Sequence, residues 1–161
     1  MPKPNPAYDP KAVDDVGGWC VGDKGYGTIT FNGRMKTLQV RAFEDDVVLV
    51  PVEPLDLPAG TYTFRVRMES FTSEGDGYVS AGGAPVSIAT KHDRHWQQVD
   101  VELQAADGLK QLSFCPSSGP GTTQVEWIEL LDADGKVVRT WRFAKANQKP
   151  KQPGKPQRKV A

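Results

Sequence analysis

The chain has 161 residues, and its 20 Lys and Arg balance 20 Asp and Glu. That length allows one domain with a core of its own plus tails, and the absence of any run of 18 apolar residues excludes a membrane-spanning helix. The neutral total hides a split: residues 1–144 hold 14 Lys and Arg against all 20 acids (−6), while residues 145–161 hold six Lys and Arg and no acid (+6), so the body is too acidic for a nucleic-acid footprint and the tail reads as a solvated basic terminus.

Residues 1–16 are proline-rich and charged, and read as an extended lead-in. They contain no apolar core of a signal peptide, so an exported form would be cut from a longer precursor. From Gly17 short strands alternate with turn signals. Gly27–Asn32 turns at Asn32-Gly33 into Lys36–Ala42, where Leu38, Val40 and Ala42 alternate with Thr37, Gln39 and Arg41. In Asp46–Val52 the alternation puts Val48, Val50 and Val52 on one side. Thr61–Glu69 has the cleanest period of two: Tyr62, Phe64, Val66 and Met68 inward, Arg65, Arg67 and Glu69 outward.

Tyr78–Ala81 and Pro85–Ala89 are short strands split by Gly82-Gly83. Trp96–Gln104 sends Val99, Val101 and Leu103 inward and Gln98, Asp100 and Glu102 outward. Lys110–Cys115 follows, then a Pro/Gly/Ser loop over 116–123. The strongest local signal is Gln124–Phe143, two apolar runs flanking Asp134-Gly135 and so a β-hairpin. A two-residue loop would set Ala133 against Lys136. Glu126, Ile128, Leu130, Val137, Arg139, Trp141 and Phe143 would then share the core face, and Val125, Trp127, Glu129 and Arg142 the other. Trp127 would lie opposite Arg142. With 16 Gly, 13 Pro and no amphipathic helical run, the fold class is all-β: an antiparallel two-sheet β-sandwich, jelly-roll-like, of about nine or ten strands. The domain plan is lead-in 1–16, sandwich 17–143 and basic disordered tail 144–161.

The chain carries no catalytic signature, and it is read as a non-enzyme. His92 and His95 sit alone in a loop, short of the three or four ligands a metal needs. Asp132–Gly135 starts like an EF-hand loop, but its twelfth position is Phe143 rather than Glu. Cys115-Pro116 lacks the arginine and the proline spacing of a sulfatase nucleophile. Cys20 and Cys115 form either one disulfide or two buried thiols.

Binding is better supported. Planar polar side chains on the outward faces can hydrogen-bond sugar hydroxyls, and arginine adds recognition of carboxylate or sulfate. A sugar ring also needs an exposed aromatic to stack on. Trp19, Tyr26, Tyr78, Trp96 and Trp127 are the candidates, with Trp96 divided between core and surface. The ligand-binding set is Arg65, Arg67, Trp96, Gln98, Trp127 and Arg142; the competing reading is a solvated face of cross-strand ion pairs.

Pro-Ala-Gly-Thr-Tyr-Thr-Phe-Arg-Val-Arg at 58–67, His-Trp-Gln-Gln-Val-Asp-Val-Glu-Leu at 95–103 and Val-Glu-Trp-Ile-Glu-Leu-Leu-Asp at 125–132 form a strand rhythm. It resembles that of bacterial jelly-roll carbohydrate-binding modules. Residues 1–10 are similar to a segment near the end of some bacterial sulfatases. The resemblance implies a non-catalytic accessory module, secreted or periplasmic, that holds a polysaccharide, plausibly anionic, beside a tethered catalytic domain. It implies no nucleic-acid or membrane partner. Calcium often props such modules, but no ligand set here matches, so no cofactor is assigned. The alternative is a structural module that packs on a catalytic domain without binding sugar.

Overall fold

The structure, a computed structural model, describes residues 16–22, 27–43, 46–71, 75–91 and 93–145. The lead-in up to residue 15 and the tail beyond 145 lie outside the described residues, as do Tyr26 and His92. Eleven strands run in order among the described residues. They are β1 (Trp19–Val21), β2 (Gly27–Asn32), β3 (Thr37–Ala42), β4 (Leu49–Pro51), β5 (Gly60–Phe71), β6 (Gly75–Ser80), β7 (Val86–Ile88), β8 (Gln97–Ala105), β9 (Ser113–Ser118), β10 (Gly121–Leu131) and β11 (Val137–Arg142). A short 3-10 turn, Phe143–Lys145, closes the series.

They form two antiparallel sheets. One has the order β1-β4-β9-β6-β7; the other has β2-β3-β10-β5-β8, with β11 added to β10. This is the expected β-sandwich, with slightly more strands than the turn signals suggested. The extra strand is β1, and the 116–123 loop shrinks to a tight connection because β9 and β10 run on to Ser118 and from Gly121.

The core lies between the sheets. Trp19 and Phe114 from one sheet meet Phe64 from the other. Phe114 packs 4.9 Å from Phe64 and 6.4 Å from Trp19, centroid to centroid. All three rings are fully buried. Beyond them Trp141 stands edge-on to Trp19 at 5.1 Å, and Phe143 is buried below the hairpin. Such offset and edge contacts suit the ring quadrupoles.

The central strand β5 keeps its sequence-read parity along its length: Tyr62, Phe64, Val66 and Met68 are buried. In the 46–52 segment Val47 and Leu49 belong to the core cluster, and Val50, on the side shared with Val48 and Val52, is buried as well. All of β4 is buried, so an alternation of exposure cannot mark its faces.

β10 is long enough to take two strands end to end along one edge. Residues 121–125 pair with β3 and residues 127–131 with β11, while β5 lies along the other edge. The β5 register shifts between Val125 and Trp127, so Glu126 is a bulge residue. The bulge overturns one expectation. Val125 does not share a face with Trp127; it is buried, as are Ile128 and Leu130. An uninterrupted strand would put Val125 in water.

The hairpin loop is also one residue longer than expected. Asp132 N–H donates to Lys136 O at 2.9 Å and Gly135 N–H to Asp132 O at 3.0 Å. Gly135 has φ 82°, so the turn is a three-residue loop with glycine in the left-handed region. The Asp132 side chain fixes it by accepting from the Asp134 and Lys136 amides, each at 2.9 Å. A register shift between Leu130 and Leu131 absorbs the extra residue. Val137 is exposed and Val138 packs on the core instead; Arg139 keeps its expected partner Leu130 but is exposed too.

Candidate functional site

The period of two that buries one side of β5, β8 and β10 turns the other side to solvent as a continuous polar face. Its rows can be read across the strands. In one, Arg142 of β11 lies opposite Trp127, Trp127 opposite Arg67, and Arg67 opposite Gln98. In the next, Thr140 lies opposite Glu129, Glu129 opposite Arg65, and Arg65 opposite Asp100. A third carries Glu69 against Gln124 and Gln124 against Gln39. Trp96, just before β8, sits with the Arg67 guanidinium carbon 5.2 Å from its ring centroid. The structure thus gathers Arg65, Arg67, Trp96, Gln98, Trp127 and Arg142 on one face.

Their charges are already matched. Arg65 grips Asp100 with two hydrogen bonds, Nε to Oδ1 at 2.9 Å and Nη2 to Oδ2 at 3.0 Å. That bond, followed by the nearby charges of Asp100 and Glu129, holds the guanidinium pKa above its ordinary value against a desolvation effect that lowers it. Glu129 lies 3.9 Å from Arg65 and 3.3 Å from Arg142. Arg67 donates to Glu126 at 2.8 Å. The bulge at Glu126 is what brings that carboxylate to Arg67. Both indoles carry a guanidinium: Arg67 at Trp96, and Arg142 5.7 Å from the Trp127 centroid. Such pairs contribute about 0.5–1 kcal/mol at exposed sites.

Beside the indole rows the face deepens into a cleft of about 380 Å³. Met35 from the β2–β3 turn lines it together with Phe71 and Arg94, while Glu69, Gln124 and Thr122 line it from the sheet. Arg94 stacks on Phe71 with its guanidinium carbon 3.8 Å from the centroid. Its backbone holds φ 68° and donates from N–H to Ser70 O at 3.0 Å. Gln124 is fixed in place by its own bonds: Thr37 Oγ1 donates to its Oε1, and its Nε2 donates to Gln39 Oε1 at 2.9 Å. Asn32 extends that chain, donating to the same Gln39 oxygen at 3.0 Å.

Sequence reading missed this cleft. Its one legible signal was the outward parity of β5, which runs two residues beyond Glu69 to Phe71. Arg94 had none, because it reaches the sheet from a loop.

The other aromatic candidates fall elsewhere. Trp19, a candidate exposed ring by its sequence setting, is fully buried in the core. Tyr78 is half-buried on the opposite sheet, donating to Asp46 Oδ2 at 3.1 Å. Cys115 and Cys20 are buried thiols that no disulfide joins. Burial, and then the Asp46 charge, push the Cys115 thiol up to about 12. A thiol so held is protonated and inert at neutral pH. His95 is exposed and lies 3.0 Å from Asp93; its hydrogen bond is the main cause lowering that carboxyl's pKa. Among the described residues no three His, Cys, Asp or Glu are grouped to hold a metal ion, and no helix is long and apolar enough to cross a membrane.

Solved structures share this architecture. The apo structure of BiXyn10A CBM1 superposes with TM-score 0.51 at 14% identity, over 73% of this chain and 98% of that one. The xylan-binding module CBM15 gives TM-score 0.52 at 11% identity, over 75% of this chain and 94% of its own. Both share the β-sandwich fold of this chain. At such identities the likeness is one of fold alone. No protein-family model matches the chain, and no curated protein matches it in sequence.

Proposed function

We propose that this protein is a non-catalytic carbohydrate-binding module, with the outer face of the six-stranded sheet as its binding surface. The observation that carries the reading is the row Arg142–Trp127–Arg67–Gln98 with Trp96 beside it. Two indoles and several planar polar groups lie on one rigid sheet, the combination a pyranose needs for stacking and hydroxyl bonding. The module would work tethered to the catalytic domain of a polysaccharide-processing enzyme, a sulfatase among them, in a secreted or periplasmic protein. Tethering makes a weak site useful through effective concentration.

The outward arginines are what suggests an anionic glycan. Arg65, Arg67 and Arg142 each already hold a carboxylate, so a sulfate would have to displace one. Affinity electrophoresis against neutral and sulfated polysaccharides tests the proposal. Retardation by at least one is expected; migration unchanged on all of them would end it.

The second reading is a module that packs on a catalytic domain and binds no sugar. Exposed Phe43 and Phe71 are the observation in its favour. It expects no retardation on any glycan, together with a stable complex between this module and its catalytic partner.

A further inference from the structure

Several ionised groups of the outer face are matched in pairs, and others, Arg41 and Glu102 among them, have no ion-pair partner among the described residues. The arginines of the indole rows are matched by Asp100, Glu126 and Glu129. The two charges that line the cleft are not. Glu69 and the Arg94 guanidinium have no hydrogen-bond or ion-pair partner among the described residues, and they do not pair with each other. Arg94 is held instead by its stacking on Phe71 and by its backbone bond to Ser70. The amide of Gln124 is committed to Thr37 and Gln39, so it shapes the floor and leaves recognition to the two charges.

A ligand that displaces water from the cleft must therefore donate hydrogen bonds to a carboxylate and accept them from a guanidinium. It must also present an apolar surface to Phe71 and Met35. Adjacent hydroxyls on an unsubstituted sugar ring do both, since each hydroxyl donates and accepts, and the ring carries an apolar face. A sulfated ring supplies acceptors to Arg94 but brings negative charge against Glu69. The cleft's volume lies within the range of small-molecule sites, roughly 300–1,000 Å³.

We infer that the Glu69–Arg94 cleft is the specificity-determining subsite of the module, and that it selects a neutral, hydroxyl-rich saccharide over a sulfated one. The inference rests on the carbohydrate-binding reading and narrows its substrate class.

The test is affinity electrophoresis and calorimetry of the full chain with xylan, mixed-linkage β-glucan and galactan as neutral probes, and dextran sulfate and heparin as anionic ones. Glu69→Ala, Arg94→Met and Trp127→Ala are compared, each with its thermal melt as a folding check. Arg94→Met keeps an apolar chain over Phe71 and removes the donors. The expected result is retention by a neutral probe that is little changed by salt and falls about tenfold or more in both cleft variants. Retention lost in Trp127→Ala yet unchanged in both cleft variants would overturn the cleft assignment and leave the binding proposal standing. Preferential retention by dextran sulfate or heparin, strengthened by Glu69→Ala, would overturn the neutral class. No retention on any probe overturns both readings together.

Discussion

Trp127 and Arg142 face each other across the β10–β11 hairpin, and the guanidinium lies over the indole. The same indole faces Arg67 of β5 on its other side. Its position at the centre of the sheet makes it the ring most exposed to the consequences of ligand binding. Trp127→Ala is expected to weaken glycan retention roughly tenfold or more, with Trp127→Phe intermediate. The ring is only half-buried, so the thermal midpoint should move by a few degrees at most. Calorimetric titration beside a melting curve separates the two effects. Equal losses of binding in Trp127→Phe and Trp127→Ala would argue against stacking.

Glu129 links Arg65 to Arg142, and its side chain is only 15% exposed. Glu129→Gln should cost about 0.5–1 kcal/mol, the upper end for a surface pair, whereas Asp100→Asn, at a more exposed carboxylate, should cost less. Both losses should shrink in high salt. The same change frees the Arg142 guanidinium, while Arg65 keeps its pair with Asp100, so Glu129→Gln should bind dextran sulfate better than the wild type does. Urea titrations and gel retardation measure the two outcomes. A variant with wild-type indifference to dextran sulfate would show that the ion pairs do not set charge selectivity.

Phe114 bridges the sheets by touching Trp19 and Phe64. Phe114→Ala removes a fully buried ring and leaves a cavity that close-packed neighbours cannot refill, at an expected cost of about 3–5 kcal/mol. For a sandwich of this size that approaches the whole of its stability. Denaturant melts should show a large fall in midpoint. A loss under about 1 kcal/mol would mean that the neighbouring rings collapse into the space.

Stability should fall in alkali. The Cys115 thiol ionises in the unfolded chain near its ordinary 9.0 but in the folded one at about 12. Below the first value both states hold the proton and the group contributes no slope. Between the two the unfolded state holds fewer protons, so the folded state loses roughly 1 kcal/mol per pH unit. Tyr78, raised chiefly by burial, adds the same sign above its ordinary 10.0. Urea midpoints measured across this window should drop, and Cys115→Ala should flatten the first part of the fall. An identical slope in the variant would remove Cys115 as its cause.

The sequence by itself determined the parity of β5 and β8. Alternation in Thr61–Glu69 and Trp96–Gln104 sorted Arg65, Arg67 and Gln98 outward, because a strand's side chains alternate and only one side of each sheet can be dry. The hairpin register read from Asp134-Gly135 set Trp127 against Arg142, a pairing that survives the longer loop because the shift between Leu130 and Leu131 offsets it. Three things were decided only in three dimensions. The Glu126 bulge returned Val125 to the core, since a single inserted residue reverses parity and leaves no mark in composition. Trp19 was buried because its short strand joins a sheet edge that Trp141 covers. And the cleft came into being where Phe71, Arg94 and Met35, from three separate segments, meet over Glu69 and Gln124. Local alternation encodes which way a side chain points; which side chains from distant segments converge depends on strand order and sandwich packing, and no local pattern carries that.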